Sequence, residues 1–559
     1  MNKTKYIAMS ILLVAAVLFI PAMLKTAAAE MGALPAPAIQ AAGFHLKIDR
    51  QVIRLIQSVD AQNAPTDVFR RASLDVAGGK IRVVVEALEV SGTRSVSAMM
   101  VRQRITAAGG QVELAYENLY QSLIPLDAVE QVAASPFVKR VRLPFHPILH
   151  EVTSEGVNRI GADYLTDIPP FHAGRKVKVG VLDAAFKGYR SLLGSELPSQ
   201  VTAQSFRADG NLENPYGNET YDVHGTACAE IIYDLMPDAE FFLTNINTDV
   251  EHHAAVSWLI QNQVDVISCS LGWTNAGAGD GTGPICYDVE RVHSAGIFWA
   301  NAAGNEATDH WEGTFNDPDS DGWHNFSGST QVLSFTVNAY TPVFLYMNWD
   351  DWGTWTGMDY TGSTQDYDLY LYIKYGATWF PVDSSQQIQN GNQWPTEEIV
   401  DGWYSSSGQT WGVAIRKKSA SRSVKLEIFF SGNNSAVEFN VPEGSLTIPA
   451  DSPYAIAAGS TGAFGDGYHY YSSRGPTSDG RIKPDFMAPS GVSTASYGSL
   501  GFYGTSASAP HMAGVIALLL GKTPYSDQQI LNILQKRAVD LGPTGPDSQY
   551  GYGRVNLRE

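Results

Sequence analysis

The chain has 559 residues, 44% of them hydrophobic and 17% charged, and carries a formal net charge of −19. That composition excludes an intrinsically disordered polymer and leaves room for several domains around a large core. The acidic balance argues against nucleic acid and against anionic membrane surfaces as partners.

In chain order, Lys3 and Lys5 precede the apolar run Tyr6–Ile20, and Ala27-Ala28-Ala29 offers a small-residue cleavage site. The pattern predicts a secretory signal peptide over residues 1–29, with an uncleaved anchor as the alternative. A secreted chain with no stable membrane association after signal removal is the expectation. Residues 30–79 form an N-terminal segment. The three cysteines, Cys228, Cys269 and Cys286, exclude a dense disulfide framework. Cys228 and Cys269 read as buried thiols, and a Cys269–Cys286 bridge stays open.

Residues 80–150 suggest a small α+β unit. Ile81–Glu86 reads as a strand, and Val96–Ala108 as a helix stopped by Gly109-Gly110. Gln111–Ile124 reads as one long strand or a hairpin. A short helix starts at Asp127 and ends near Ser135-Pro136, and Val138–Leu143 closes as a strand. This β-α-β-β-α-β order is ferredoxin-like and holds no catalytic constellation.

A different alternation follows in residues 151–305. Lys176–Asp183 is a buried-type strand ending on a carboxylate, where open parallel sheets place functional groups. By itself such an Asp is a turn former. His224 opens an apolar helix running to Met236-Pro237; alone it would be a cap or a packed ring. Strand Glu240–Asn245, helix Val250–Gln261, strand Val264–Gly272, helix Cys286–Ala295 and strand Ile297–Asn305 continue the series. The alternation predicts a parallel sheet with helices on both faces.

Residues 306–443 are dense in Trp, Tyr, Gly, Ser and Thr, with period-two segments such as Val332–Val337, Pro342–Met347 and Val424–Phe430. They predict an all-β sandwich. The parallel-sheet pattern resumes at Tyr454–Gly459, so the sandwich is an insertion. Within it Asp317, Asp319, Asp321 and Gly322 match the first half of an EF-hand-type calcium loop, but the twelfth position is Gly328. Calcium ligation and a plain acidic turn both remain open.

The last informative stretch is Gly504–Gly514, leading into Val515–Leu520. Ser506 sits at the mouth of an apolar helix, whose unpaired N–H groups and positive dipole end suit a developing oxyanion. Gly-Thr-Ser alone would be an N-cap.

Asp183, His224 and Ser506 occur in the order Asp…His…Ser. Around them stand Val179-Gly180-Val181-Leu182-Asp183, His224-Gly225-Thr226, Ala302-Ala303-Gly304-Asn305, Ser472-Ser473-Arg474-Gly475-Pro476 with Lys483–Pro489, and Gly504–His511. Together these words resemble the subtilase family from about Ser154 to the C-terminus, outside the insertion. The resemblance implies a subtilisin-like catalytic domain over 151–305 and 444–559. It implies Ser506 as nucleophile, His224 as general base and then acid, and Asp183 as orienting carboxylate. Asn305 matches the oxyanion-hole amide, aided by the Ser506 N–H. Ser270-Leu271-Gly272 matches the strand that pairs with an extended substrate, which implies a protein or peptide substrate. Ala302-Ala303-Gly304 matches one wall of the specificity pocket, and catalysis needs no cofactor.

Residues 80–150 resemble the family's self-cleaved inhibitory propeptide, with processing between Lys139-Arg140-Val141-Arg142 and Glu155. The insertion resembles pre-peptidase C-terminal sandwiches through Asp366–Tyr372. Glu230 stands where the family carries a small residue. The related sedolisin family uses a helical Glu as base, but with His224 in its full motif Glu230 reads as structural. Ala507 and Ala509 vary the usual residues harmlessly, and the insertion after Asn305 blocks any transfer of specificity. The competing reading is a catalytically silent subtilase-fold binding protein that uses the aromatic insertion.

Overall fold

The structure is a computed structural model that describes residues 47–49, 52–53, 76–77, 79–88, 94–145, 148–149, 156–162, 176–339, 341–403, 408–431, 434–435, 437–523 and 525–558. The signal-peptide segment and residues 150–155 of the processing stretch lie outside them.

The N-terminal unit is built from β1 (Lys80–Ala87), α1 (Arg94–Ala107), β2 (Gln111–Tyr116), β3 (Leu119–Pro125), α2 (Val129–Ala133) and β4 (Val138–Arg142). Its antiparallel strands lie in the order β2-β3-β1-β4, the ferredoxin-like arrangement. Of the two readings of 111–124 the hairpin is the observed one, and Glu117 in its turn has φ 50°. Alternate residues Ile81, Val83 and Val85 face inward against Val101 and Ile105 of α1.

A two-residue strand, β5 (Ile148–Leu149), links this unit to the main body. There the elements are β6 (Lys178–Asp183), β7 (Thr202–Ser205), α3 (His224–Leu235), β8 (Glu240–Asn245), α4 (Asp249–Gln261), β9 (Val266–Cys269), β10 (Leu271–Gly272), α5 (Pro284–Ser294) and β11 (Phe298–Ala302). After the insertion come β12 (Ala455–Gly462), β13 (Phe486–Ser490) and α6 (Thr505–Lys522). Seven parallel strands run β13-β12-β11-β9-β6-β8-β7. Their continuous apolar runs are explained by burial on both faces. One face packs Ile231 and Ile232 of α3 with Val515 and Ile516 of α6. The other packs Val256 and Leu259 of α4 with Val289 and Val292 of α5.

The expected strand 264–272 is interrupted at Ser270. Up to Cys269 the chain belongs to the parallel sheet, whereas β10 leaves it and pairs antiparallel with β5, Leu271 opposite Leu149 and Gly272 opposite Ile148. The break is fixed by Ser270, whose Oγ donates to the Ser506 carbonyl at 2.9 Å.

The inserted segment forms two antiparallel sheets. The strands His310–Thr314, Lys425–Ser431, Val343–Trp349 and Thr396–Trp403 form one, and Thr378–Ser385, Asp366–Tyr375, Gln409–Ser419 and Leu333–Val337 the main part of the other. Leu345, Met347, Leu369, Val413 and Ile428 fill the space between them. All three cysteines are free and buried, so the Cys269–Cys286 bridge is not formed. Cys286 Sγ instead donates to Asp451 Oδ1 at 3.4 Å. Among the described residues no helix is long and apolar enough to cross a membrane.

Candidate active site at the carboxyl edge of the parallel sheet

Asp183 ends β6, an interior strand of the sheet, where strand order switches sides and ligands of open α/β sheets bind. Its side chain is fully buried, and Oδ1 accepts both the Ala184 N–H and His224 Nδ1 at 2.7 Å. His224 is the first residue of α3. Gly225 allows this approach, because a Cβ there would lie 2.7 Å from the Ala185 carbonyl and from Asp183 Cβ. With Nδ1 donating to the carboxylate, the neutral ring keeps its lone pair on Nε2. The ring edge rests on Phe502, centroids 5.5 Å apart.

Ser506 is the second residue of α6 and is buried. Gly504, at φ 122°, turns the chain into the helix. Ser506 Oγ donates to the Ser270 carbonyl at 3.4 Å. Its own carbonyl also accepts Cys228 Sγ at 3.6 Å, and Cys228 lies one turn after His224. These contacts bring the first turns of α3 and α6 together at the edge of the sheet. His511, the other histidine of that motif, bonds through Nδ1 to the Ala507 carbonyl, and burial pushes it down to about 4.

Asn305 lies just past β11. Its Oδ1 accepts the Thr505 N–H at 2.9 Å and Thr505 Oγ1 at 3.1 Å, which assigns Nδ2 as the outward donor. Ala302 ends β11, Ala303 packs with Leu446, Ala450 and Ala457, and the Gly304 N–H donates to Thr505 Oγ1. Ser270, Leu271 and Gly272 edge the same region, with the backbone of Ile148–Leu149 laid along β10.

Asp317, Asp319 and Asp321 bring ligand atoms within 4.8 Å of one another in a turn of the insertion. Asp317 already accepts the N–H groups of Asp321 and Gly322 and the Lys417 ammonium, and Asp321 accepts the Trp323 N–H. Three further groups among the described residues have similar spacing: Asp183, His224 and Cys228; His252, His253 and Asp288; and His310, Glu312 and Glu427.

Glu230 accepts the N–H groups of Ala495 and Ser496 and the Ser496 hydroxyl. It anchors the hairpin Val492–Phe502 that presents Phe502 to His224, and burial pushes its carboxyl up to about 7. The structural role expected of Glu230 thus has a partner far along the chain. The roles of Cys228, Phe502 and Thr505 in holding the site were missed. Thr505 alone had a readable signal, since it adjoins Ser506.

A family model described as the subtilase family matches residues 174–379 and 383–553, more than half of the chain. The chain belongs to the subtilase family. Its relatives include the alkaline elastase YaB of Bacillus sp. (strain YaB), 32% identical over 203 residues, which cover 35% of this chain and 48% of that protein. An extracellular serine protease of Serratia marcescens is 31% identical over 168 residues, covering 25% of this chain and 16% of the relative. The subtilisin of Bacillus pumilus is 29% identical over 176 residues, covering 31% and 60%. Matched regions thus span about half or less of the first two relatives' length. In this subtilase the buried Asp183–His224 pair and Ser506 come from three separate elements of the parallel-sheet body.

Proposed function

We propose that this subtilase is a secreted serine endopeptidase, made as a zymogen whose N-terminal unit, residues 80–150, blocks the cleft until self-cleavage removes it. The carrying observation is the 2.7 Å bond from His224 Nδ1 to Asp183 beside Ser506 at the start of α6. His224 Nε2 takes the Ser506 proton as Oγ adds to the peptide carbonyl. Asn305 Nδ2 and the Ser506 N–H stabilise the resulting oxyanion. The imidazolium, held by Asp183, then protonates the leaving amine. Water repeats the sequence on the acyl-enzyme, restoring Ser506 and releasing the acid. These proton transfers close without a cofactor. Asp317, Asp319 and Asp321 are the candidate calcium ligands outside the reaction.

Substrate polypeptide adds as a strand to β10, as the backbone of Ile148–Leu149 does. The zymogen reading is supported by that pairing and by the docking of the N-terminal sheet on α4. Arg142 bonds Glu86 at 2.7 Å and pairs with Asp249, and Gln121 bonds Glu251 at 3.1 Å. The silent-binder alternative leaves the buried His–Asp pair without a use. The test is intact mass of wild type and Ser506→Ala made in a protease-free host. Loss of the N-terminal unit in wild type alone supports the proposal. A Ser506→Ala protein that matures normally overturns self-processing.

A further inference from the structure

We infer that the insertion extends the substrate cleft with a subsite for one aromatic and two basic side chains of the polypeptide, upstream of the residues that pair with β10. The inference rests on the peptidase reading above and concerns the substrate of that same site.

The occupant visible in the structure is the protein's own chain. Leu149 and Ile148 lie along Leu271 and Gly272. A few residues upstream, the Phe145 ring stacks on Trp394 of the insertion, with centroids 5.8 Å apart and planes 22° apart. The Arg140 guanidinium lies 4.7 Å over the same indole, and the Lys139 ammonium pairs with Asp359. One path therefore runs from the insertion into the strand-pairing edge of the cleft.

This surface is built and held. Asp359 uses Oδ1 to accept Trp394 Nε1 at 2.7 Å, while its Oδ2 is the oxygen aimed at Lys139. Trp394 packs on Trp352 and Tyr360, centroids 5.6 and 5.8 Å away. Tyr360 is in turn fixed to the parallel-sheet body, its hydroxyl accepting the Ala278 N–H at 3.1 Å and bonding Thr282 Oγ1 at 2.8 Å. A shallow pocket opens alongside, lined in part by Trp273, Trp349, Trp352 and Ile448. An indole face beside a fixed carboxylate suits a cation and a flat ring together. Release of the N-terminal unit uncovers the indole, the carboxylate oxygen and the β10 edge at once. A substrate entering in the same direction crosses the same surface.

Two internally quenched peptides test this with the wild-type protein after its own processing, read by intact mass. One carries the sequence of residues 138–157 and the other that of residues 147–157, both spanning the processing stretch. The longer peptide is expected to show a KM about tenfold lower, as one to two such contacts give. Alanine in place of Phe145 or Arg140 within the peptide removes most of that advantage, with no change to the protein. In Asp359→Asn and Trp394→Ala proteins the ratio of the two KM values falls towards one. Equal KM values in wild type, or a ratio that survives both protein variants, overturn the subsite while leaving the peptidase reading intact. Failure to cleave either peptide sinks the peptidase reading and the subsite with it.

Discussion

Two buried histidine–aspartate clusters sit on helices that cover opposite faces of the parallel sheet, and their difference shows what makes one of them a candidate for chemistry. His224 and His253 each point Nδ1 at a fully buried carboxylate, at 2.7 Å to Asp183 and 2.5 Å to Asp288. Around Asp183 the remaining neighbours are a backbone N–H, the Cys228 thiol and the start of the helix that carries Ser506. Around Asp288 they are a second histidine, His252 at 2.8 Å, and Arg291 at 2.6 Å on the other oxygen. Tyr116 of the N-terminal unit stacks on His253 at 4.6 Å, under the Arg291 guanidinium. Burial works against the charge on Asp288, but His253 and His252 outweigh it and hold the carboxyl well below the usual range. In the second cluster both Asp288 oxygens are taken by His252, His253 and Arg291, and the buried Nε2 of His252 faces no hydroxyl or other hydrogen-bond partner. A His–Asp bond is common to both; a serine on a helix start beside the Asn305 amide belongs to the first.

The largest break in this comparison is Asp183→Asn. It leaves the shape intact but replaces the carboxylate with an amide whose N–H favours the wrong His224 tautomer, and kcat is expected to fall about 10⁴-fold with little change in KM. Asn305→Ala should come next, lowering kcat on the order of 100- to 1000-fold by removing one oxyanion donor. Steady-state kinetics on a short fluorogenic peptide reads both. Asp288→Asn should invert the pattern. Breaking a buried ion network costs about 3–5 kcal/mol, so urea denaturation should register the loss while kcat stays within a few-fold of wild type. Equal kcat losses for Asp183→Asn and Asp288→Asn would erase the distinction between the clusters.

Glu230 supplies the smallest and most pH-dependent effect. Burial raises its carboxyl to about 7, so the folded chain keeps a proton that the unfolded chain releases near 4.5. A raised carboxyl contributes stability that is complete below the unfolded value and lost as pH rises through the folded one. Wild type should therefore lose stability relative to Glu230→Gln between pH 5 and pH 8. A difference flat across that range would contradict the burial account.

Much of this architecture was legible in the sequence because it is written in short, local words. Continuous apolar runs such as Val179–Leu182 and Val266–Cys269 have few folds open to them, and strand–helix alternation orders them. Asp183, His224, Asn305 and Ser506 each sit in such a word at an element end. The strand expected over 264–272 was read too long because apolar character continues through Leu271, while the break depends on Ser270 meeting Ser506, far along the chain. The Asp288 network is invisible for the same reason: the rest of α4, β9, β10 and the loop before α5 separate His253 from Asp288, and no local pattern links them. The contact of Trp394 and Asp359 with Lys139 and Arg140 joins two units that periodicity describes only separately.

The most direct test of the account is covalent labelling of Ser506 by a fluorophosphonate, mapped by peptide mass spectrometry on wild type, Ser506→Ala and Asp288→Asn proteins freed of the N-terminal unit. The account predicts one adduct, on Ser506, in wild type and in Asp288→Asn, and none in Ser506→Ala. Wild type that stays unlabelled, or labelling that persists in Ser506→Ala, would contradict it.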